Sequence, residues 1–367
     1  MFYRAIGLMS GSSLDGLDIA FVQLEEIRGQ WSFRIDAAEC LPYPADWQQR
    51  LRQATELNAL EYMRLHADYG HYIGQQVNEF IERHQLQHQV QLIASHGHTS
   101  FHEPARRMTG QLGDGAAIAA TTGINVVSDL RAMDVALGGQ GAPIVPMGEK
   151  LLLSQYPLLL NIGGIANISA NIPGHYLAYD ICPANRVLNL LAQQAGHEYD
   201  AGGALAASGF VRDEVLSRLN QQAYYSQPYP KSLANDFGTD VLYPLLRAAN
   251  LSVPDALRTM VEHIVIQTTR SVGKLLPQLP AADGPRQLLA TGGGAFNNFL
   301  IERLQASLRP LQVEVVVPDA QLVNYKEALV MALLGVLRWR EENTVLHSVT
   351  GASRSSIGGA VWIGQDA

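Results

Sequence analysis

Cysteine and positive charge are both scarce in this 367-residue sequence. Its two cysteines, Cys40 and Cys182, cannot build the disulfide framework of a small secreted domain, which favours a reducing compartment. Lys and Arg together number 26 against 34 Asp and Glu, and the formal net charge is −8. Because no basic stripe stands out, nucleic acids and anionic membrane surfaces are disfavoured as partners.

A targeting segment and a long apolar run are also missing. No basic segment followed by an apolar core opens the chain, and no apolar run reaches the length that crosses a bilayer. We therefore expect a cytoplasmic protein. Hydrophobic residues make up 47% of the sequence and charged residues 16%, which is typical of a well-buried globule. The length exceeds that of one usual core, so two domains are expected.

The first stretch that carries chemistry is a hydroxyl-rich turn at residues 9–18, between two predicted strands. Gly11 and Gly16 permit backbone conformations and close approaches that a Cβ would block. Such a turn can offer backbone N–H groups and serine hydroxyls to a phosphate. Asp15 and Asp18 can hold a hydrated Mg²⁺, which prefers oxygen ligands. An ordinary hairpin produces the same pattern, so this turn alone does not decide between the two.

Two further glycine turns follow predicted strands in the second half of the chain. Residues 163–167 follow a strand at 157–162, and residues 291–297 follow a strand at 287–290 and open a helix. No Gly-Lys-Ser/Thr follows the glycines, so this is not a P-loop, and no dinucleotide fingerprint is present. Three such turns in two similar halves predict a phosphotransferase that clamps the phosphates of a nucleotide.

A glycine-rich connection at residues 138–143 marks the predicted domain boundary. The first lobe is expected at residues 1–135, with the substrate side and the first phosphate turn. The second lobe is expected at 136–344, with the other two turns. The tail at about 345–367 is expected to pack near the first lobe.

Motifs along nearly the whole chain, from about residue 5 to 360, resemble those of the 1,6-anhydro-N-acetylmuramic acid kinase family. They occupy residues 9–16, 95–99, 111–115, 138–143, 161–167, 180–185, 291–297 and 349–352. The resemblance implies an actin/hexokinase/Hsp70-like fold, that is, a duplicated ribonuclease H-like α/β fold with a cleft between two domains. It also implies a kinase that uses ATP and Mg²⁺ to open the anhydro bridge of a peptidoglycan-derived sugar, giving N-acetylmuramic acid 6-phosphate in cell-wall recycling, and a homodimer.

Asp180 is the predicted general base of this reaction. It ends an apolar run and is followed by a turn into a helix. A carboxylate in a partly dry cleft can have its pKa raised toward a useful range. In this interpretation Asp180 takes a proton from the water that attacks C1, and the departing O6 attacks the γ-phosphate. A helix-capping role is the alternative, and the resemblance favours catalysis.

The three turns and one helical glutamate form the predicted nucleotide site. The set comprises Gly11, Ser12, Ser13, Leu14, Asp15, Gly16, Leu17, Asp18, Asn161, Gly163, Gly164, Asn167, Gly292, Gly293, Gly294, Asn297 and Glu327. Asp15 and Asp18 are also the predicted Mg²⁺ ligands. Glu327 lies on the most apolar predicted helix, where a carboxylate contacts the nucleotide or solvates the helix start.

Polar residues near the ends of predicted strands in the first half form the predicted sugar site. They are Ser95, His96, His98, Asp114 and Arg131. In α/β sheets, ligands sit beyond the carboxyl ends of strands. Arg131 can pair with the lactyl carboxylate of the sugar in a bidentate fork. A structural hydrogen-bonding role explains the histidines and Arg131 equally well.

The chain departs from the family pattern after Asp180, where Ile-Cys-Pro-Ala-Asn at 181–185 replaces the usual Thr-Gly-Pro-Gly-Asn. It departs again after Lys231 and Ser232. We expect these changes to affect substrate range and rate. Two other functions remain open: a kinase of the same fold for another sugar, and a non-catalytic nucleotide switch. Comparing ATP consumption with and without the anhydro-sugar separates them.

Overall fold

The computed structural model describes residues 1–11, 13–229, 231–234 and 236–365. The chain forms two compact units. The first contains Met1–Leu153 and the described residues from Tyr325 onward, and the second contains Ser154–Asn324. Ser12, one of the predicted nucleotide contacts, lies outside the described residues.

The first unit is built on a seven-stranded sheet. Numbered along the chain, its strands are β1 (Phe2–Ser10), β2 (Gly16–Ile27), β3 (Gln30–Pro42), β4 (Leu92–Glu103), β5 (Met108–Leu112), β6 (Val126–Ser128) and β12 (Ala360–Trp362). Their order is β12-β6-β4-β1-β2-β3, and β5 pairs with β4. The helices are α1 (Ala45–Arg52), α2 (Ala59–Arg83), α3 (Gly115–Thr122), α4 (Ala132–Ala136), α5 (Pro146–Leu152), α13 (His347–Thr350) and most of α12 (Ala320–Trp339).

The second unit is built on a five-stranded sheet in the order β11-β10-β7-β8-β9. Its strands are β7 (Leu158–Ile162), β8 (Ile165–Ile172), β9 (His175–Pro183), β10 (Arg286–Thr291) and β11 (Val313–Val316). Its helices are α6 (Asn185–Gln193), α7 (Ala204–Ser208), α8 (Asp213–Asn220), α9 (Tyr243–Ala248), α10 (Val253–Leu275) and α11 (Asn298–Leu308). A π-helical turn at Phe237–Leu242 precedes α9.

The two sheets share one topology. Each has an antiparallel meander of three strands, β1–β3 in the first unit and β7–β9 in the second. In each, two parallel strands extend the sheet beside the first strand of the meander, namely β4 with β6 and β10 with β11. This repetition confirms the predicted duplicated α/β fold.

The observed division differs from the boundary expected at residue 135. Residues 136–153 and 325–344 belong to the first unit. The cause is the close packing of α12 on the first sheet. A Cβ built on Gly7 of β1 would lie 1.8 Å from the backbone oxygen of Ala328, so only glycine lets strand and helix approach this far.

By length and composition α12 could cross a membrane, which differs from the expectation that no segment reaches that size. However, 72% of its apolar window is buried inside the protein. Residues Met331–Leu334 are fully buried. A helix that is apolar on nearly all sides is typical of a protein core. The close approach of α12 to Gly7 of β1 shows that this helix packs directly on the first sheet.

Two predicted strand ends are wrong. β4 continues to Glu103, so Ser95, His96 and His98 lie within the strand rather than after it. β9 continues to Pro183, so Asp180 also lies inside a strand. The cause is backbone pairing, because β4 pairs with β5 and β9 pairs with β8 beyond the apolar runs. A strand continues for as long as its backbone groups have partners, whatever its hydropathy.

Candidate active site

The first glycine turn is a short loop whose hydroxyl and carboxylate groups contact each other. Leu14 donates its backbone N–H to the Gly11 oxygen at 3.3 Å. Ser13 donates its hydroxyl to Asp15 Oδ1 at 2.6 Å, and the Gly16 N–H reaches the same oxygen at 3.1 Å. A Cβ on Gly16 would lie 2.6 Å from the backbone of β3, so this glycine is needed where the strand begins.

Asp18 has an unusual electrostatic environment. It lies on β2 opposite Cys40 of β3, whose thiol donates a hydrogen bond to its carboxylate. Burial raises the pKa of Asp18 to about 6, and repulsion from Asp15 and Glu327 acts in the same direction. In the described part of the chain, no Lys or Arg forms an ion pair with Asp15 or Asp18. The site therefore gathers negative charge without a protein cation to balance it.

Glu327 lies in the first unit, near the first turn. It interacts electrostatically with Asp18 and with Arg131. Its neighbour on α12, Lys326, forms a buried ion pair with Glu149 of α5 at 2.9 Å, which fixes this turn of the helix. The expectation that Glu327 belongs to the second lobe is therefore wrong, because α12 packs on β1.

A buried chain of hydroxyls orients His98. Tyr43 donates its hydroxyl to Ser10 Oγ at 2.8 Å, and Ser10 Oγ lies 3.0 Å from His98 Nδ1. The Tyr69 hydroxyl lies 2.5 Å from the Tyr43 hydroxyl oxygen. Because Tyr43 directs its own proton toward Ser10, Tyr69 is the donor in this second contact. Burial lowers the pKa of His98, which favours the neutral ring, and its Nδ1 then accepts a hydrogen bond from the Ser10 hydroxyl. We therefore assign the remaining proton to Nε2, and the role of His98 as a sugar ligand stays a prediction.

His96 and Arg131 form a second polar group in this unit. Arg131 Nε donates to His96 Nε2 at 2.8 Å, and His96 Nδ1 donates to the Gly97 oxygen at 2.8 Å. Burial lowers the pKa of His96 to about 3, so the imidazole is neutral. Arg131 also donates to the Gly141 oxygen at 2.5 Å. Both ring nitrogens of His96 are therefore occupied by protein groups, and its contribution is to orient Arg131.

The other two predicted sugar ligands also have protein partners. Ser95 Oγ is buried and accepts the Gly97 N–H at 3.2 Å. Asp114 caps α3, accepting the Ala116 N–H at 3.0 Å. Both contacts are local to the chain, and their roles as ligands stay predictions.

Asp134 is a buried carboxylate whose structural contacts sequence reasoning missed. It is buried, and its two oxygens accept hydrogen bonds from the Gly141 N–H and the Thr350 hydroxyl, each at 2.7 Å. A Cβ on Gly139 would lie 2.3 Å from Asp134 Oδ2. Asp134 thus fixes the glycine-rich connection and the motif at 349–352 to each other. No sequence pattern distinguishes it from other helical carboxylates.

In the second unit the other two glycine turns contact each other. The parallel register of β7 and β10 sets Asn161 beside Thr291, so the loops that follow leave from neighbouring strand ends. A Cβ on Gly292 would lie 2.8 Å from Asn161 Oδ1, and one on Gly294 would lie 2.2 Å from the side chain of Ile162. Asn297 caps α11 by accepting the Leu300 N–H at 3.0 Å. The structure therefore brings both predicted turns into one backbone-lined surface.

The chain after β9 supports this surface. The N–H groups of Ala184 and Asn185 donate to the oxygens of Gly164 and Gly163 at 2.8 and 3.0 Å. Arg186 follows directly, and its Nε would lie 3.8 Å from a Cβ built on Gly164. The described part of the chain contains no ion pair of Arg186. Sequence reasoning missed this cation, because the usual family motif ends one residue earlier.

Asp180 is held by three hydrogen bonds. Leu233 donates its N–H to Asp180 Oδ2 at 2.9 Å, and Tyr224 donates its hydroxyl to the Asp180 backbone oxygen at 2.7 Å. The Asp180 N–H reaches the Lys231 oxygen at 3.1 Å. Burial raises the pKa of this carboxylate, and the Leu233 N–H partly offsets the rise. Asp180 is therefore fixed in orientation and more basic than an exposed aspartate.

Comparison with known proteins identifies the family of the chain over nearly its whole length. The family model described as anhydro-N-acetylmuramic acid kinase matches residues 3–364. The chain belongs to the anhydro-N-acetylmuramic acid kinase family. The enzyme of that name from Vibrio cholerae is 36% identical over 97% of both chains, and the one from Gloeobacter violaceus is 36% identical over 96% of both. A solved structure, the activator of 2-hydroxyisocaproyl-CoA dehydratase from Clostridium difficile with bound ADPNP, matches with 14% identity and a TM-score of 0.42, covering 92% of this chain and 96% of the other.

Membership of the anhydro-N-acetylmuramic acid kinase family makes the chain a phosphotransferase with an alcohol group as acceptor. The predicted resemblance and the enzyme class are thereby confirmed. At the sequence departure at 181–185, Ile181, Cys182 and Ala184 are buried, and the expected effect on substrate range and rate stays a prediction. Burial also raises the pKa of the Cys182 thiol, which leaves it unreactive.

Proposed function

We propose that the chain uses ATP and Mg²⁺ to open the bridge of 1,6-anhydro-N-acetylmuramic acid and to phosphorylate O6. A water oxygen bonds to C1 and the C1–O6 bond breaks. O6 then bonds to the γ-phosphorus, and ADP leaves. The product is N-acetylmuramic acid 6-phosphate, and the proposed context is recycling of peptidoglycan in the cytoplasm by a homodimer.

The observation that carries this proposal is the setting of Asp180. Three hydrogen bonds fix it, and burial raises its pKa, so it can accept a proton from water. The two glycine turns in the same unit offer backbone groups to ATP phosphates. In the first unit, His98 Nε2–H and Arg131 are the donors proposed for the sugar's polar groups.

The chemistry of the first turn fits Mg²⁺. The described residues contain no group of three or more His, Cys, Asp or Glu that could hold a metal ion. Mg²⁺ in kinases, however, is bound by one or two carboxylates together with water and substrate phosphates. Asp15 and Asp18 meet this requirement, since no Lys or Arg among the described residues forms an ion pair with either. When bound, the ion would neutralise charge on the transferred phosphoryl group.

A product assay in labelled water tests the proposal. The enzyme is incubated with ATP, Mg²⁺, H₂¹⁸O and the anhydro-sugar, and the products are analysed by mass spectrometry. We expect a sugar 6-phosphate with the label at C1, formed in equal amount with ADP. Slow ATP hydrolysis that the sugar does not change would indicate a nucleotide switch. Phosphorylation of another sugar only would indicate a related kinase.

Arg186 is expected to contribute to ATP binding. Its guanidinium lies beside Gly164 without a carboxylate partner in the described residues. We expect Arg186→Gln to raise KM for ATP about fivefold to tenfold with little change in kcat, because the contact acts equally on ground and transition states. Steady-state kinetics measure this, with Arg247→Gln on the surface of α9 as the control. An unchanged KM for ATP would contradict it.

A further inference from the structure

A pocket on the α10 side of β9 has no part in the proposed reaction. It lies between β9, the segment before Leu233 and the last turns of α10. Tyr179 and Ile181 line it, and Asp180 lies between them in the strand. Asp180 itself is not among the residues that line the pocket, and the pairing of β9 with β8 shifts register next to it.

Among the residues that the structure describes, three cations and no carboxylate line this pocket. They are Lys231, Arg270 and Lys274. In the parts of the chain that the structure describes, none of the three forms an ion pair. This concentration is notable in a protein whose acidic residues outnumber its basic ones by 34 to 26.

The same helix shows what an ordinary arrangement looks like. Near the start of α10, Arg258 has a carboxylate one turn later, and its ion pair with Glu262 measures 3.4 Å. Near the end, Arg270 instead has Lys274 one turn later, a like-charge pair that is unfavourable in a helix. Lys231 and Lys274 also repel each other, and burial lowers the pKa of Lys231.

The remaining walls suit a small polar ligand. Tyr179 and Tyr229 stack with ring centroids 5.3 Å apart. The side chain of Ser271 forms a hydrogen bond with the Tyr179 hydroxyl. Burial raises the pKa of Tyr179 to about 12, so this hydroxyl keeps its proton. The pocket therefore offers three positive charges and hydroxyl groups beside an aromatic surface.

We propose that this pocket binds a phosphate group, either as inorganic phosphate or as the ester of a small metabolite. A dianion would relieve the repulsion among the three cations and accept charge-assisted hydrogen bonds from them. Binding would also act on the proposed base, a consequence that rests on the proposed function. The Lys231 ammonium group donates to the Tyr224 backbone oxygen at 3.0 Å. The backbone oxygen of Lys231 accepts the Asp180 N–H, and the Leu233 N–H donates to the Asp180 carboxylate. The segment that carries Lys231 is therefore the one that holds Asp180.

The test is calorimetric titration of inorganic phosphate into the full-length protein saturated with a nonhydrolysable ATP analogue, at constant ionic strength. Saturation keeps phosphate from the glycine turns. The variant Arg270→Gln/Lys274→Gln is compared with Arg247→Gln/Arg309→Gln, which removes the same charge from the surface of the same unit. We expect one phosphate per chain in the wild type and the control, and affinity at least about tenfold weaker in the pocket variant.

Each outcome decides one question. No saturable phosphate binding to the wild type, or equal affinity in both double variants, overturns the proposed pocket. A hexose 6-phosphate that binds more tightly than inorganic phosphate supports the pocket and identifies a metabolite ester as the ligand. Failure of the ATP analogue to bind overturns the proposed function instead, because the variants still report on the pocket by themselves.

Discussion

Asp180→Asn is expected to lower the rate of sugar phosphorylation by about 10³-fold, which is the contribution of a well-placed general base. The amide keeps an oxygen that can accept the Leu233 N–H, so the geometry around residue 180 survives while the proton acceptor is lost. ATP binding, measured by calorimetry, is expected to stay within about twofold, because the glycine turns do not depend on the carboxylate.

The pH dependence of the wild-type enzyme gives an independent check on the same residue. Burial raises the pKa of Asp180, and only the ionised carboxylate can take the proton from water. As the pH falls through this raised pKa, kcat is therefore expected to fall, at a higher pH than for an exposed aspartate.

Asp283→Asn, an exposed carboxylate in the loop before β10, is the matched control and is expected to keep full activity. Retention of most activity by Asp180→Asn would show that another group activates the water. Loss of ATP binding together with turnover would show that Asp180 is structural.

The sequence predicted the strands that precede two of the glycine turns, β7 and β10. Glycine turns after strands at 162 and 291 were expected to act together, and they meet because β7 and β10 are adjacent and parallel. In a sheet of this topology, neighbouring parallel strands end at the same edge, so their loops are brought together by the fold itself. The strand pattern placed each loop at a strand end, whereas the pairing of the two strands is a finding of the structure.

Contacts between distant segments could not be predicted in this way. The Leu233 N–H that holds Asp180 lies 53 residues further along the chain, in a segment without hydrophobic periodicity. The hydroxyl chain from Tyr69 to His98 joins α2 to β4, and its residues resemble ordinary core tyrosines in the sequence. Only tertiary packing brings such groups together, so local sequence patterns do not predict these contacts.

The position of Glu327 illustrates the same limit. Its helix follows β11 of the second unit, and sequence order alone assigns it there. The helix instead packs on β1 through Gly7, which sets Glu327 near Asp18 and Arg131. A glycine in a strand was the available signal, but it does not say which element approaches it.

Asp18→Asn is expected to stabilise the protein without Mg²⁺ and to lower turnover by about 10²-fold, because the loss of a metal-binding carboxylate weakens charge neutralisation in phosphoryl transfer. In the folded state the pKa of Asp18 rises from 3.8 to about 6. Ionising this group therefore opposes folding. The resulting loss in the free energy of unfolding is absent below pH 4, grows as the pH rises toward and through 6, and reaches at most about 3 kcal/mol.

The asparagine variant cannot ionise, so its melting temperature should exceed that of the wild type by about 2–4 °C at pH 8 and should equal it below pH 4. Thermal unfolding across this range, with and without Mg²⁺ and an ATP analogue, measures both effects. Mg²⁺ is expected to stabilise the wild type more than the variant, since the ion binds the ionised carboxylate. Glu25→Gln, an exposed position on the same strand, is the control for loss of one charge. If the variant melts earlier than the wild type at pH 8 and responds equally to Mg²⁺, Asp18 is a structural residue and the metal site lies elsewhere.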